Sequence, residues 1–233
     1  MKKVRAVGIA VVLLSCAVIA WSQAASVPRT DLYHVHVAQA APGKAAQLGD
    51  YLKTPLPDAP MPGHSLVLRH QDGAEWDYVV IEHLGTKTTV NATGTATPAN
   101  VRDLYAWHGD TFVNGPAWPE FVRAMGLGDQ AAKSANSVYV VSVYRTLPGH
   151  REELEKQVSA PVPGGSEAGA VLLQHVEGAP WTFMAITRYD SWQKFGENES
   201  ASVAQTNKGS GGWFDLRQNI SMHNDTLTNR IAP

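Results

Sequence analysis

The chain has 233 residues, with 19 Lys and Arg against 21 Asp and Glu and a formal charge of −2. That balance lacks the cationic surplus needed to neutralise a polyanion, so neither nucleic acid nor an anionic membrane surface is expected as a partner. A single cysteine, Cys16, excludes a disulfide framework within the chain and a cysteine metal cluster.

The chain opens Met1-Lys2-Lys3-Val4-Arg5, and an apolar run follows from Ala6 to Ala20. Ser22-Gln23-Ala24 then places small residues where a signal peptidase cuts. The run is shorter than the roughly 20 apolar residues of a spanning helix. Residues 1–24 are therefore read as a secretory signal peptide, and no membrane span is expected. The mature chain would be periplasmic or secreted. Leu13-Leu14-Ser15-Cys16 resembles a lipoprotein box, which leaves lipid anchoring through Cys16 as an alternative. Cleavage after Ala24 removes Lys2, Lys3 and Arg5, leaving 16 basic residues against 21 acidic and no cysteine.

The remaining sequence repeats itself in three blocks that keep their order. Tyr33 to Leu48 aligns without a gap on Tyr139 to Leu154, with six of sixteen positions identical. His70 to Trp76 aligns on His175 to Trp181. Arg102, His108, Asp110 and Thr111 align on Arg217, His223, Asp225 and Thr226. Within each copy, residues 32–37 and 138–144 are β-branched and aromatic, the pattern of a strand, and Pro-Gly ends each. Ala45, Leu48 and Leu52 lie at helical spacing, as do Leu154 and Val158. Residues 66–68 and 171–173 predict short strands. Asp72-Gly73 and Glu177-Gly178 predict tight turns, and residues 76–81 and 181–186 the returning strands. Helix-capable stretches follow at 97–107 and from 191 towards 222. Residues 87–95 and 209–212 read as loops, and 126–136 as the junction between copies. The order is β-α-β-β-α with room for a final strand, in a first unit at 25–130 and a second at 137–233.

This order, with Pro42-Gly43 and Pro148-Gly149 after the first strand of each copy, resembles the dimeric α+β barrel superfamily. That group includes antibiotic-biosynthesis monooxygenase-type domains, NIPSNAP-like proteins and chlorite dismutases. The resemblance implies an α+β fold in which two tandem ferredoxin-like units pair their sheets into one intramolecular barrel. It transfers no catalytic motif, because the superfamily hosts unrelated functions.

Side chains alternate across a strand. Tyr33, Val35 and Val37 share an apolar face with the counterparts Tyr139, Val141 and Val143, and this face is expected to pack against helices. The opposite face carries His34 and His36, and one face of the returning strand carries Trp76, Tyr78 and Glu82. These five are expected to line the barrel lumen. The second copy offers Val140, Ser142, Trp181, Phe183 and Thr187 instead, so the first copy is expected to hold the site.

His34, His36, His108 and Asp110 are the candidate catalytic residues: an imidazole oriented by a carboxylate can act as a general base. Trp76, Tyr78, Glu82 and Arg102 are candidates for substrate binding. His34, His36 and Glu82 are also a candidate metal set, with His108 as a fourth ligand. The recurrence of His-x-Asp-Thr equally fits capping of a helix or turn. The expected function is binding of a small apolar or aromatic molecule in the lumen, with cofactor-independent monooxygenase-like or proton-transfer chemistry. A divalent metal or a haem is an alternative cofactor, a non-catalytic envelope binding protein an alternative role, and a homo-oligomer an open partner.

Overall fold

The computed structural model describes residues 27–55, 59–86, 99–209 and 211–233. The expected leader with Cys16 and the expected loop at 87–95 lie outside them, as does Ser210. Among the described residues the order is β1 (Asp31–Ala40), α1 (Ala45–Leu52), β2 (Ser65–Asp72), β3 (Tyr78–Thr86), α2 (Ala99–Arg102), β4 (Tyr105–Gly115) and α3 (Trp118–Met125). A 3-10 turn at Gly128–Gln130 leads into β5 (Val138–Thr146), α4 (Arg151–Val158), β6 (Gly169–Glu177), β7 (Phe183–Tyr189), α5 (Trp192–Thr206), α6 (Trp213–Asn219) and β8 (Ile220–Ala232). No described helix is long and apolar enough to cross a membrane.

The strands close into an antiparallel barrel in the order β1-β3-β2-β8-β5-β7-β6-β4. The first four strands lie side by side as β4-β1-β3-β2, and the last four as β8-β5-β7-β6. The chain leaves β1 and β5 through turns whose glycines, Gly43 and Gly149, take φ of 76° and 83°, a region open to glycine at little cost. Helix α3 starts with a proline in its first turn and stops at Gly126, which caps it in the left-handed conformation.

Two expectations are corrected. The stretches at 97–107 and 191–222 are not continuous helices. Helix α2 covers only Ala99–Arg102, and β4 begins at Tyr105. His108, Asp110 and Thr111 thus belong to a strand rather than to a helix cap, as do their counterparts on β8. Cross-strand pairing with β1 and β5 overrides the local helical preference.

The expected faces are also inverted. One apolar cluster unites Tyr33, Val35, Leu66, Leu68, Val79, Ile81 and Val113 with Tyr139, Val141, Val171, Leu173, Met184 and Ile186. Residues from strands on opposite sides of a closed barrel meet only inside it, so the Tyr33 face is the lumen. Phe121 and Met125 of α3 join that cluster, and both are fully buried. The other face lies outside, beneath the helices: α1 covers Ala38 and Tyr78 through Leu48, and α4 covers Tyr144 and Phe183 through Leu154. His34, His36 and Glu82 share that outer face and do not line the lumen. The larger apolar set fills the interior because seven of the eight strands contribute to it, whereas each helix covers only part of the outside.

The two seams closing the barrel are β2–β8 and β4–β6. At each, a hairpin glycine meets the His-x-Asp-Thr strand of the other half. A Cβ on Gly73 would fall 2.4 Å from the Asp225 carbonyl oxygen, and one on Gly178 would fall 2.2 Å from that of Asp110. Both glycines have positive φ, 121° and 108°. The recurrence of the motif thus has a structural part, since its backbone receives the opposite hairpin.

The packing predicts a clear split in stability. Ile81→Ala is expected to cost about 2–5 kcal/mol in chemical denaturation, and Gly178→Ala more than about 1 kcal/mol, whereas Trp107→Ala, at an exposed position, changes stability by less than about 0.5 kcal/mol.

Candidate functional site

The alternation that fills the lumen also builds a polar row outside. Strand β1 lies between β3 and β4, and its register pairs His34 with Glu82 on one side and His36 with Asp110 on the other. His108 stands two residues before Asp110 on the same strand face. His34 Nδ1 lies 2.9 Å from Glu82 Oε2, and its Nε2 lies 2.9 Å from Asp110 Oδ1. His36 Nδ1 is 2.8 Å from the same Asp110 oxygen, and His108 Nδ1 is 3.0 Å from Asp110 Oδ2. Three imidazoles therefore converge on one carboxylate. Phe112 flanks His34 at 5.4 Å between ring centroids, and Tyr105 meets His36 edge-on at 5.6 Å.

Electrostatics divide the histidines by role. Burial alone would lower the pKa of His34, but its hydrogen bonds to Asp110 and Glu82 outweigh that and raise it to about 9. His34 is thus an imidazolium at neutral pH, donating from both nitrogens. The hydrogen bonds from His34 and then His36 hold the Asp110 carboxyl well below the usual range, against the opposing effect of burial. His36 gives Nδ1 to Asp110, while its Nε2 is buried without a hydrogen-bond partner among the described residues. His108 is the exposed edge of the cluster, with 54% of its side chain open to solvent.

The second half lacks this convergence. Val140 and Ser142 stand where the first half has His34 and His36, and Thr187 stands opposite Val140 where Glu82 faces His34. Asp225 accepts from Ser142 and pairs with His223 at 2.9 Å, and His223 stacks on Tyr144. That half instead carries a cleft of about 310 Å³ over its outer face, lined among others by Arg29, Glu167, Leu172, Ala185 and Thr187.

The other sequence-selected residues fall elsewhere. Tyr78 lies under α1 and donates its hydroxyl to the Ala45 carbonyl at 2.7 Å, a packing role. Trp76 packs against the lumen cluster and meets His70 edge-on. Arg102 ends α2 at an exposed position.

A second titratable cluster escaped the sequence reading. At one mouth of the lumen, His83 Nε2 lies 2.8 Å from Asp31 Oδ2, and His83 Nδ1 lies 3.1 Å from His64 Nδ1. Trp118 stacks on both imidazoles, with centroids 4.6 Å from His64 and 5.3 Å from His83. Burial lowers the pKa of His83, outweighing its hydrogen bond to Asp31. The available signal was parity: Asp31 and His83 share the strand faces of Tyr33 and Ile81. In the second half Ser137 and Arg188 occupy the corresponding positions, 3.4 Å apart.

Opposite pH dependences follow. The folded pKa of His34 lies above its ordinary 6.5, so its stabilisation is full below that pH and disappears as pH rises through about 9. The difference in Tm between the chelator-treated parent and His34→Gln should therefore be widest in mild acid and close above that range. His83 is depressed, so the folded state resists protonation and its contribution is lost as pH falls below 6.5. Tm of the parent protein should drop there, and His83→Gln should flatten that drop in thermal melts.

No protein-family model and no curated protein matches the chain. Several solved structures share its fold. A candidate monooxygenase from Lactobacillus acidophilus superposes with a TM-score of 0.54 at 9% identity, over 86% of this chain and 94% of its own. An anthrone oxidase-like protein gives 0.55 at 9% identity, over 88% and 92%. A candidate monooxygenase from Fusobacterium nucleatum gives 0.51 at 9% identity, over 86% and 92%. The chain accordingly has the mixed α+β, ferredoxin-like fold of these monooxygenase-type proteins.

Proposed function

We propose that this chain is an exported, two-copy ferredoxin-like barrel that oxidises a small aromatic or apolar molecule at the outer-face histidine row of its first half. The observation that carries the reading is the convergence of His34, His36 and His108 on Asp110, with one His36 nitrogen left unpartnered. The monooxygenase and anthrone oxidase-like neighbours suggest the reaction class, and the leader sequence suggests a periplasmic or secreted location. The repeat supports units at 25–130 and 137–233, since each half follows β-α-β-β-α-β with the same lateral strand order.

The ligand site is moved from the lumen to the outer face, because the lumen is filled by fully buried side chains such as Tyr33, Tyr139 and Phe121. In this reading Asp110 orients His36 through Nδ1 and leaves Nε2 as the electron-pair donor, the logic of a carboxylate-positioned base. His34, cationic at neutral pH, keeps Asp110 ionised. Phe112 and Tyr105 bound the row with aromatic edges suited to a flat substrate. Trp76, Tyr78 and Arg102 have no direct part in the reaction.

A tricyclic aromatic ketone such as anthrone is the probe of choice, with oxygen uptake as the readout. The parent protein should consume oxygen, and His36→Ala and Asp110→Asn should each lower kcat by about 100-fold or more. His223→Ala, in the second half, should retain the parent rate. No uptake across a panel of such aromatics, or full activity in Asp110→Asn, would end the oxidation reading.

A further inference from the structure

We propose that His36, His108 and Asp110 form a site for one divalent first-row transition ion, bound through two imidazole nitrogens and one carboxylate oxygen. This deepens the oxidation reading by assigning a metal to the same residues, and it is tested without substrate.

Donor atoms of these three side chains all lie within 4.8 Å of one another. Two ligands on one ion, each about 2.1 Å from it, stand roughly 3–4 Å apart. Small side-chain movements close that gap, and His108, with 54% of its side chain open to solvent, has room to make them. The backbone is already in place. His36 and Asp110 are directly paired across β1 and β4, and Ala38 pairs with His108, so the three side chains project from one patch of the sheet.

Protein atoms alone leave the cluster incompletely satisfied. His36 Nε2 is buried and lacks a partner among the described residues, a state that is ordinarily costly for a desolvated polar atom. An electron-pair acceptor at the cluster gives His36 a use for its second nitrogen. The hydrogen bonds also select the ligands. His34 faces a carboxylate from each ring nitrogen, at 2.9 Å and 2.9 Å, and so has no lone pair to give. The sequence-based set of His34, His36 and Glu82 is thereby replaced: His34 becomes a positioning residue behind Asp110, and Glu82 holds His34. Metal sites commonly keep such a layer, which orients the ligands and tunes affinity.

The second half is an internal control. His223 and Asp225 repeat His108 and Asp110, but Ser142 replaces His36 and its hydroxyl is bonded to Asp225. Two donors remain there where the first half has three. Two histidines and one carboxylate suit Fe²⁺ where oxygen chemistry follows and Zn²⁺ otherwise, with positions left open for water or substrate.

The test uses the whole purified chain without a polyhistidine tag, stripped by chelator. Zn²⁺ is titrated by calorimetry and Co²⁺ by its visible absorption. One equivalent should bind. His108→Ala, at an exposed position that leaves folding intact, and His36→Ala should each weaken binding by about 100-fold. His34→Gln should weaken it by about 10–100-fold with stoichiometry retained, and His223→Ala should leave it unchanged. Absence of a bound equivalent in the parent, or unaltered affinity in His108→Ala, overturns the proposal. Oxygen uptake is followed in parallel. Turnover by protein verified as metal-free, with no equivalent of ion bound in the titrations, sinks the metal site and leaves the oxidation reading standing. Metal binding as described without turnover of any aromatic does the reverse.

Discussion

Strand β1 is hydrogen-bonded on both edges, to β3 and to β4, and its side chains must point alternately into and out of a closed barrel. Tyr33 and Val35 enter the lumen cluster, so His34 and His36 are obliged to face outward. Every other feature of the site depends on this two-residue period. It aligns Glu82 from one neighbour and Asp110 from the other on the same outer surface. A slip of one residue would place the imidazoles among apolar side chains and expose Tyr33, so the apolar core holds the register of the polar site.

The two halves use one scaffold with different chemistry. Both offer an aspartate on the strand beside their first strand, and both receive the opposite hairpin glycine against that aspartate's carbonyl. The first half surrounds its aspartate with three imidazoles, and the charge of His34 keeps that carboxylate ionised. The second half reduces the same position to a serine and one stacked histidine. Both aspartate-bearing strands form a seam, while the convergent donors occur in one half. The open cleft sits over the second half, so the division between a polar half and a purely structural half is less strict than the residue types imply.

The mouth cluster of Asp31, His83 and His64 shows the same fold placing polar groups inside. Asp31 accepts from His83 and from the Trp118 backbone N–H, and Trp118 covers both imidazoles. Those partners meet the cost of burying a carboxylate. The cluster also ties α3 to β1 and β3, helping to seat Phe121 and Met125 in the lumen.

The sequence by itself determined the repeat, the strand-turn-helix starts at the two Pro-Gly sites, the hairpins at Gly73 and Gly178, and the grouping of His34 with His36, because these are local patterns of period and turn chemistry. It also singled out His108 and Asp110 as an element distant from the histidine pair. Only the tertiary structure decided which face of β1 turns inward, because an apolar face suits a lumen and a helix layer equally until closure shows where residues from opposite strands meet. Tertiary pairing also made strands of the segments around His108 and His223, which local propensity read as helix. Asp31 and His83 lie on different strands, 52 residues apart, so no local pattern joins them. Distance in sequence hides the contact, and the register between hydrogen-bonded strands supplies it.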